Sequence, residues 1–313
     1  MMNKTPVLVL AFNRSDFLAE ILSALPLDRK IYVHIDGPNV GNQSEVENCL
    51  NVSRIFSLNN PTVPIEIKFQ NHNLGNKKAF IAATSWAFGS ESQLIILEDD
   101  IRFSNSFFPF MDWALEKFKY NKRVFQINGF SVLDKIPGRD RLFESMNCFP
   151  WGWGTWRDRW VKLDLNNRGL NTAGFRDYPI FGEVKRSQEF DIKWADRFQR
   201  VNAGLDTYDY ELNATVWSFN MVAISPRFTF TTNIGFDKRS LHTFRRPKYL
   251  RRVEEIHERQ FDYQGGKVVS FPSSYDAYSD LLVYGHPGII VGSARFIIYI
   301  YNIFKRFRKV LCI

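Results

Sequence analysis

Three acidic residues in a row, Glu98-Asp99-Asp100, follow an apolar run, Leu94-Ile95-Ile96-Leu97. Adjacent carboxylates repel one another and cost stability unless a cation or a basic group offsets their charge. A divalent ion, Mn²⁺ or Mg²⁺, held by one or two of them would meet that need and keep coordination positions open for phosphate oxygens. A solvated acidic turn, or the cap of a following helix, is the plainer alternative. A second acidic group, Asp206, Asp209 and Glu211, lies far along the chain. A carboxylate of this group could act as a general base, with Glu211 in reserve, and the apolar positions Leu212, Val216 and Phe219 leave a helix N-cap as the other role of Asp209. Four tryptophans, Trp151, Trp153, Trp156 and Trp160, crowd into ten positions. Gly152 and Gly154 predict a loop for Trp151 and Trp153, where rings can stack on a sugar, whereas the i, i+4 spacing of Trp156 and Trp160 reads as a core-facing helix.

The first 130 residues supply elements that can hold such groups. Apolar, β-branched runs at 7–12, 31–35, 65–69, 94–97 and 124–128 predict strands, and helical spacing from residue 15 (Leu18, Ile21, Leu22, Leu25), near 77–88 and near 107–118 predicts helices. This alternation implies an α/β fold, a mostly parallel sheet covered by helices, with ligands beyond the carboxyl ends of its strands. The polar clusters fall at those ends: Ala11-Phe12-Asn13-Arg14, Asp36-Gly37-Pro38, Asn71-His72-Asn73-Leu74-Gly75 and the acidic triplet. Turn chemistry explains some of them one at a time. After residue 140 come an aromatic, Gly-rich stretch, helices near 188–200 and from about 211, and strand-like segments at 221–224 and 228–230, which together read as an acceptor-side subdomain.

In order and spacing, the segment from Pro6 to Arg14, then Asp36-Gly37, Asn73-Leu74-Gly75 and Leu97-Glu98-Asp99-Asp100, resembles the donor-site motifs of GT-A glycosyltransferases. It is most similar to the N-acetylglucosaminyltransferase I group, whose metal motif is also Glu-Asp-Asp. Cys148 to Gly154 resembles that group's aromatic segment, Tyr208-Asp209-Tyr210 its Trp-Asp-Asp, and Gly235 to His242 its donor-closing stretch, so the likeness runs in short motifs over residues 6–243. The resemblance implies a GT-A type sheet and a donor site of Ala11, Phe12, Asn13, Arg14, Asp36, Asn73, Gly75, Glu98 and Asp99. In it Asp36 would accept hydrogen bonds from uracil or ribose, Asp100 would bind the metal and Asp209 would act as base. His242 is a further candidate for the metal or the diphosphate, or a structural histidine. Arg14 could equally be a surface residue at a helix start, with Asn13 and Ser15 capping. The departures at Tyr208 and Tyr210 bear on the identity of the acceptor.

The expected organisation is a catalytic domain over 1–243, with a nucleotide-sugar half at 1–130 and an acceptor half at 131–243, and an extension over 244–313. Lys and Arg exceed Asp and Glu by 41 to 33 in the 313 residues, a net charge of +8 that suits an anionic partner. Residues 295–313 carry five basic residues and no acid among large apolar ones, a pattern for a helix lying on an anionic membrane surface or packed on the domain. If that helix lies on a membrane, the acceptor becomes a lipid-linked glycan. No recognised nucleic-acid motif occurs, so nucleic acid is not an expected partner. Three scattered cysteines, Cys49, Cys148 and Cys312, and an N-terminus without a signal-peptide pattern predict a cytoplasmic protein, peripheral on the membrane if the tail binds there. Two other functions compete. A sugar nucleotidyltransferase would carry a Gly-rich phosphate loop after the first strand, which Ala11-Phe12-Asn13-Arg14 lacks. A non-catalytic carbohydrate-binding protein would explain the tryptophans and leave the acidic triplet without a reason.

Overall fold

The computed structural model describes residues 4–131, 141–163, 177–236, 261, 263, 267–271, 275–276, 279–280 and 289–290. β1 (Val7–Ala11) and β2 (Ile31–Ile35) lack polar alternation because almost every position in them is buried. That pattern belongs to inner strands of a sheet covered on both faces. β3 (Ile65–Phe69) is partly exposed throughout and forms the edge. These strands join β4 (Gln93–Glu98), β6 (Val124–Asn128), β7 (Arg141–Ser145), β8 (Trp153–Trp156), β10 (Val222–Pro226) and β12 (Lys267–Val269) in a nine-stranded sheet, ordered β12-β7-β10-β6-β8-β4-β1-β2-β3. Five of its eight neighbouring pairs are parallel. The molecule is thus an α/β fold with a mostly parallel sheet.

From β1 the chain runs outward through α1 (Ser15–Ala24) to β2 and through α2 (Gln43–Asn59) to β3, and α1 packs on α2. It then returns through α3 (Asn76–Phe88) to β4 on the other side of β1. Right-handed crossovers in opposite senses put α3 on the face opposite α1 and α2. The reversal between β1 and β4 opens a crevice at the carboxyl ends of these strands, where ligands of such sheets bind. α4 (Phe107–Phe118) packs behind β6 and β8, burying Phe107, Phe110, Met111, Ala114 and Leu115.

Several elements differ from the sequence expectation. α2 was not expected, because only Val46, Cys49 and Ser53 of its seventeen residues are buried and so narrow a stripe gives little periodicity. The Gly-Trp segment is a strand rather than a loop: β8 lies antiparallel between β4 and β6, and all four of its residues are buried. Gly154 fits there because Leu115 packs where a side chain would stand, 3.0 Å from an ideal Cβ. Trp156 ends this strand, so only Trp160 rides on the short helix α5 (Arg157–Trp160), and both rings belong to the core as expected. Strand character falls not on 228–230 but on β11 (Thr231–Asn233), which pairs antiparallel with β5 (Ile101–Phe103) just past the triplet. On the acceptor side, α6 (Gln188–Asn202) and α7 (Asp209–Ser218) pack through Trp194, Phe198 and Trp217. Two short strands, β9 (Lys185–Arg186) and β13 (Ile289–Ile290), pair separately. β12, from the expected extension, joins the main sheet beside β7. No helix among the described residues is long and apolar enough to cross a membrane.

Candidate active site

A cavity of about 310 Å³ opens in the crevice between β1 and β4. Its wall includes Ala11, Phe12 and Arg14 at the end of β1, Asp36 after β2, Asn73 and Gly75 before α3, Glu98 at the end of β4 with Asp99 just after it, and Tyr208 before α7. Residues more than a hundred positions apart thus meet where the strand order reverses. Asn13, expected in this set, is not on the wall. Neither Asn13 nor Ser15 caps α1, whose N-cap residue is Arg14 and whose cap has no side-chain hydrogen bond.

Arg14 faces the triplet. One guanidinium nitrogen pairs with Asp99, and Nη1 lies 3.0 Å from Asp100 Oδ2. The countercharge that three clustered carboxylates require therefore comes from an arginine that also lines the cavity. Asp100 is enclosed further. Its Oδ1 accepts from Asn233 Nδ2 at 3.1 Å, and its carbonyl accepts from Ile234 N at 2.9 Å. Gly235 passes so close that a Cβ there would stand 2.0 Å from Asp100 Oδ2. Both carboxylate oxygens are engaged, Asp100 is not on the cavity wall, and no group of three or more His, Cys, Asp or Glu among the described residues is placed to hold a metal ion. This arrangement does not fit a resident Mn²⁺ or Mg²⁺ at Asp100. His242, the other proposed ligand, lies outside the described residues, as does the tail 295–313.

Asp36 is likewise committed. Its Oδ1 accepts from Gly37 N at 2.8 Å and Leu74 N at 2.9 Å, and its Oδ2 accepts from Gly75 N at 3.1 Å and Asn73 Nδ2 at 3.0 Å. Two donors per oxygen fill the carboxylate, so Asp36 shapes the 73–75 loop at the cavity wall. The Asn73 amide is held in the same clamp and also donates to Gly37 O. At Gly75, φ is +82° and an ideal Cβ would fall 2.5 Å from Asp206 Oδ2, so glycine alone fits. Asp206 accepts from the Asn76 and Lys77 amides at 2.7 and 3.0 Å and so satisfies two free N–H groups at the start of α3. No sequence signal joins residues 130 positions apart in this way.

Across the cavity, Tyr208 donates to Glu98 Oε1 at 2.8 Å and stacks on Phe80 with 3.8 Å between ring centres. Burial raises the Glu98 carboxyl well above the usual range, and the charges of Asp100 and Asp209 add to it. Burial likewise raises Asp99, against the pull of Arg14. The charge of Asp209, from the second acidic group, thus reaches Glu98 of the triplet. Asp209 opens α7, but the cap of that helix has no side-chain hydrogen bond, which removes the N-cap reading. Asp209 keeps part of its surface open, and burial of the rest lifts its carboxyl to about 6. Glu211 is less free: its Oε1 pairs with Lys77 Nζ at 2.5 Å. His34, also on the wall, is held neutral by burial and Lys68, with a pKa of about 4.

Trp151 and Trp153 part company. Trp153 is fully buried in β8, close to Phe80, and cannot stack on a ligand. It is inside because its strand occupies the middle of the sheet. Trp151, one residue before the turn at Gly152, stays half-buried, edge-on to Phe130 at 4.7 Å and to Phe236 at 6.4 Å.

No protein-family model and no curated protein matches this chain. Among solved structures, it is similar to a UDP-glucose pyrophosphorylase complexed with UDP-glucose, at 8% identity over 72% of this chain and 91% of that one, with a TM-score of 0.37. It is also similar to a mannose-1-phosphate geranyltransferase from Thermus thermophilus, at 11% identity over 73% and 76% of the two chains, TM-score 0.37. A third is the glycosyltransferase GlyE of Streptococcus pneumoniae, at 8% identity over 71% of this chain and 45% of that one, TM-score 0.33.

Proposed function

We propose that the chain is a GT-A type glycosyltransferase that moves a sugar from a nucleotide-sugar donor, UDP-linked by its motif likeness, to a hydroxyl of a glycan or lipid-linked acceptor, with inversion. Asp209 carries the reading. It is a partly exposed carboxylate with a pKa near neutrality and no capping duty, coupled through space to Glu98 on the wall of a cavity at the strand-order reversal. In the proposed reaction the acceptor oxygen attacks the anomeric carbon, the bond from that carbon to the diphosphate oxygen breaks, and the hydroxyl proton passes to Asp209. Trp151 is the remaining aromatic candidate for the acceptor. The motif order points within GT-A enzymes to the N-acetylglucosaminyltransferase I group, and the basic tail to a lipid-linked acceptor in cell-surface polysaccharide synthesis.

Sugar nucleotidyl transfer is the second reading, because it uses a nucleotide cavity in the same place. Against it stands the absence of glycine from Ala11-Phe12-Asn13-Arg14, which follows β1 where a triphosphate would need close backbone approach. A panel of nucleotide sugars with Mn²⁺ separates the two. Glycosyl transfer predicts that at least one donor raises the melting temperature and slowly releases nucleoside diphosphate. Turnover of a nucleoside triphosphate and sugar phosphate to pyrophosphate, with no donor cleaved, would establish the second reading instead.

A further inference from the structure

β3 is an edge of the main sheet, and among the described residues β2 is its only strand partner. Hydrogen bonds at its two ends fix which of its residues face outward. Ile31 N donates to Pro64 O at 2.9 Å, and Gln70 N donates to Ile35 O at 3.0 Å. Residues two apart in a strand bond to the same neighbour, so Glu66 and Lys68 also turn their backbone groups to β2, and those of Ile65, Ile67 and Phe69 point away from the sheet. Such an edge is a template for another strand. The side chains alternate as well. Glu66 and Lys68 stand on the α3 face, where Lys68 Nζ lies 5.5 Å from the centre of the Trp86 ring and Glu66 meets Lys30 Nζ at 2.7 Å. Ile65, Ile67 and Phe69 stand on the other face, with α2, which packs on β2 and β3 and leaves Ile55 57% and Leu58 77% exposed.

We propose that two copies of this chain pair through β3, antiparallel, about a two-fold axis at Ile67. In that register Ile67 faces its own copy and Ile65 faces Phe69, and each of these outward-facing pairs exchanges both backbone hydrogen bonds. Glu66 falls opposite Lys68 of the second copy, and Lys68 opposite Glu66, at the positions where facing side chains come closest. Moving the axis by one residue either way still sets outward residues against outward residues, but it places Glu66 against Glu66 or Lys68 against Lys68. The charges therefore select one register. A lysine on an edge strand repels most other strands, and in this pairing it meets a carboxylate instead. The two α2 helices come to lie over the joined edge, where Ile55 and Leu58 supply apolar surface to bury. The two β3 strands run in opposite directions, so the two cavities open at opposite ends of the joined sheet. The inference stands apart from the sugar-transfer reading.

Sedimentation equilibrium of the full chain reads the assembly directly. Wild type is expected to be a dimer that dissociates on dilution. Glu66→Lys sets like charges at both symmetry-related pairs, as does Lys68→Glu, and each should raise the dimer dissociation constant at least about tenfold. Mixed in equal amounts, the two variants again present lysine against glutamate at both pairs, and the mixture should dimerise as wild type does. That rescue also shows that each variant is folded. Ile67→Pro removes an outward amide without touching the β2 ladder, so it should be monomeric with unchanged circular dichroism. It decides the matter if a charge variant fails to fold. A wild type that stays monomeric at every soluble concentration, a dimer indifferent to Glu66→Lys and Ile67→Pro, or a mixture of folded charge variants that remains monomeric would overturn the proposal.

Discussion

A carboxyl near 6 at Asp209 ties activity to pH in one direction. The base form fills in as pH rises through that value, so the transfer rate should climb on its acid limb with an apparent pKa of about 6, and Asp209→Asn should erase that limb. Stability runs the other way. Because folding raises the pKa of this group, its contribution is fully present below the unfolded value and is lost as pH rises through the folded one. Asp209→Asn should therefore melt above wild type at pH 8 and no higher than wild type at pH 4, which thermal denaturation at the two pH values would check. At this scale the sequence showed which residue types gather but not whom they bind. The triplet's need for countercharge was legible, whereas its answer, Arg14 85 positions upstream, depends on a fold that brings the end of β1 beside the end of β4. Trp153 was placed correctly among aromatics and given the wrong work, because burial is a property of neighbours.

The loops that frame the cavity are held by close backbone approach rather than by packing. Gly37 is the tightest point: an ideal Cβ there would lie 2.3 Å from the backbone carbon and oxygen of His72. Gly37→Ala must push the 73–75 loop away from Asp36, at a cost of about 1–3 kcal/mol. Urea unfolding should show that loss, and isothermal titration should show nucleotide affinity falling by more than tenfold, since the Asp36 clamp and the start of α3 move together. Unchanged affinity would mean that this loop does not border the nucleotide. β2, α4 and β6 were readable to the residue because each buries a continuous or periodic apolar set, and β3 because Ile65, Ile67 and Phe69 alternate with Glu66 and Lys68 along a partly exposed edge. β8 was not, because its Gly-Trp alternation imitates a ligand loop, and only its insertion between β4 and β6 makes every position internal.

The whole chain carries a net charge of +8, yet the cavity wall is acidic. The positive charge must therefore serve another surface, and the tail at 295–313, with five basic residues and no acid, is one candidate in the sequence. Each Lys or Arg near an anionic leaflet is worth about 1 kcal/mol, so removing residues 295–313 should lower partitioning onto phosphatidylglycerol vesicles at least tenfold in sedimentation assays. Equal partitioning would assign the tail to the domain instead. Sugar transfer itself is tested most directly by following nucleoside diphosphate release from the donor that protects the protein best, in wild type and in Asp209→Asn, alongside the donor Kd of each. With Asp209 as the base, the rate should be lower by about 10²–10⁴-fold in the variant, with the Kd nearly unchanged. Equal loss of rate and affinity, or pyrophosphate as the product, would contradict that role.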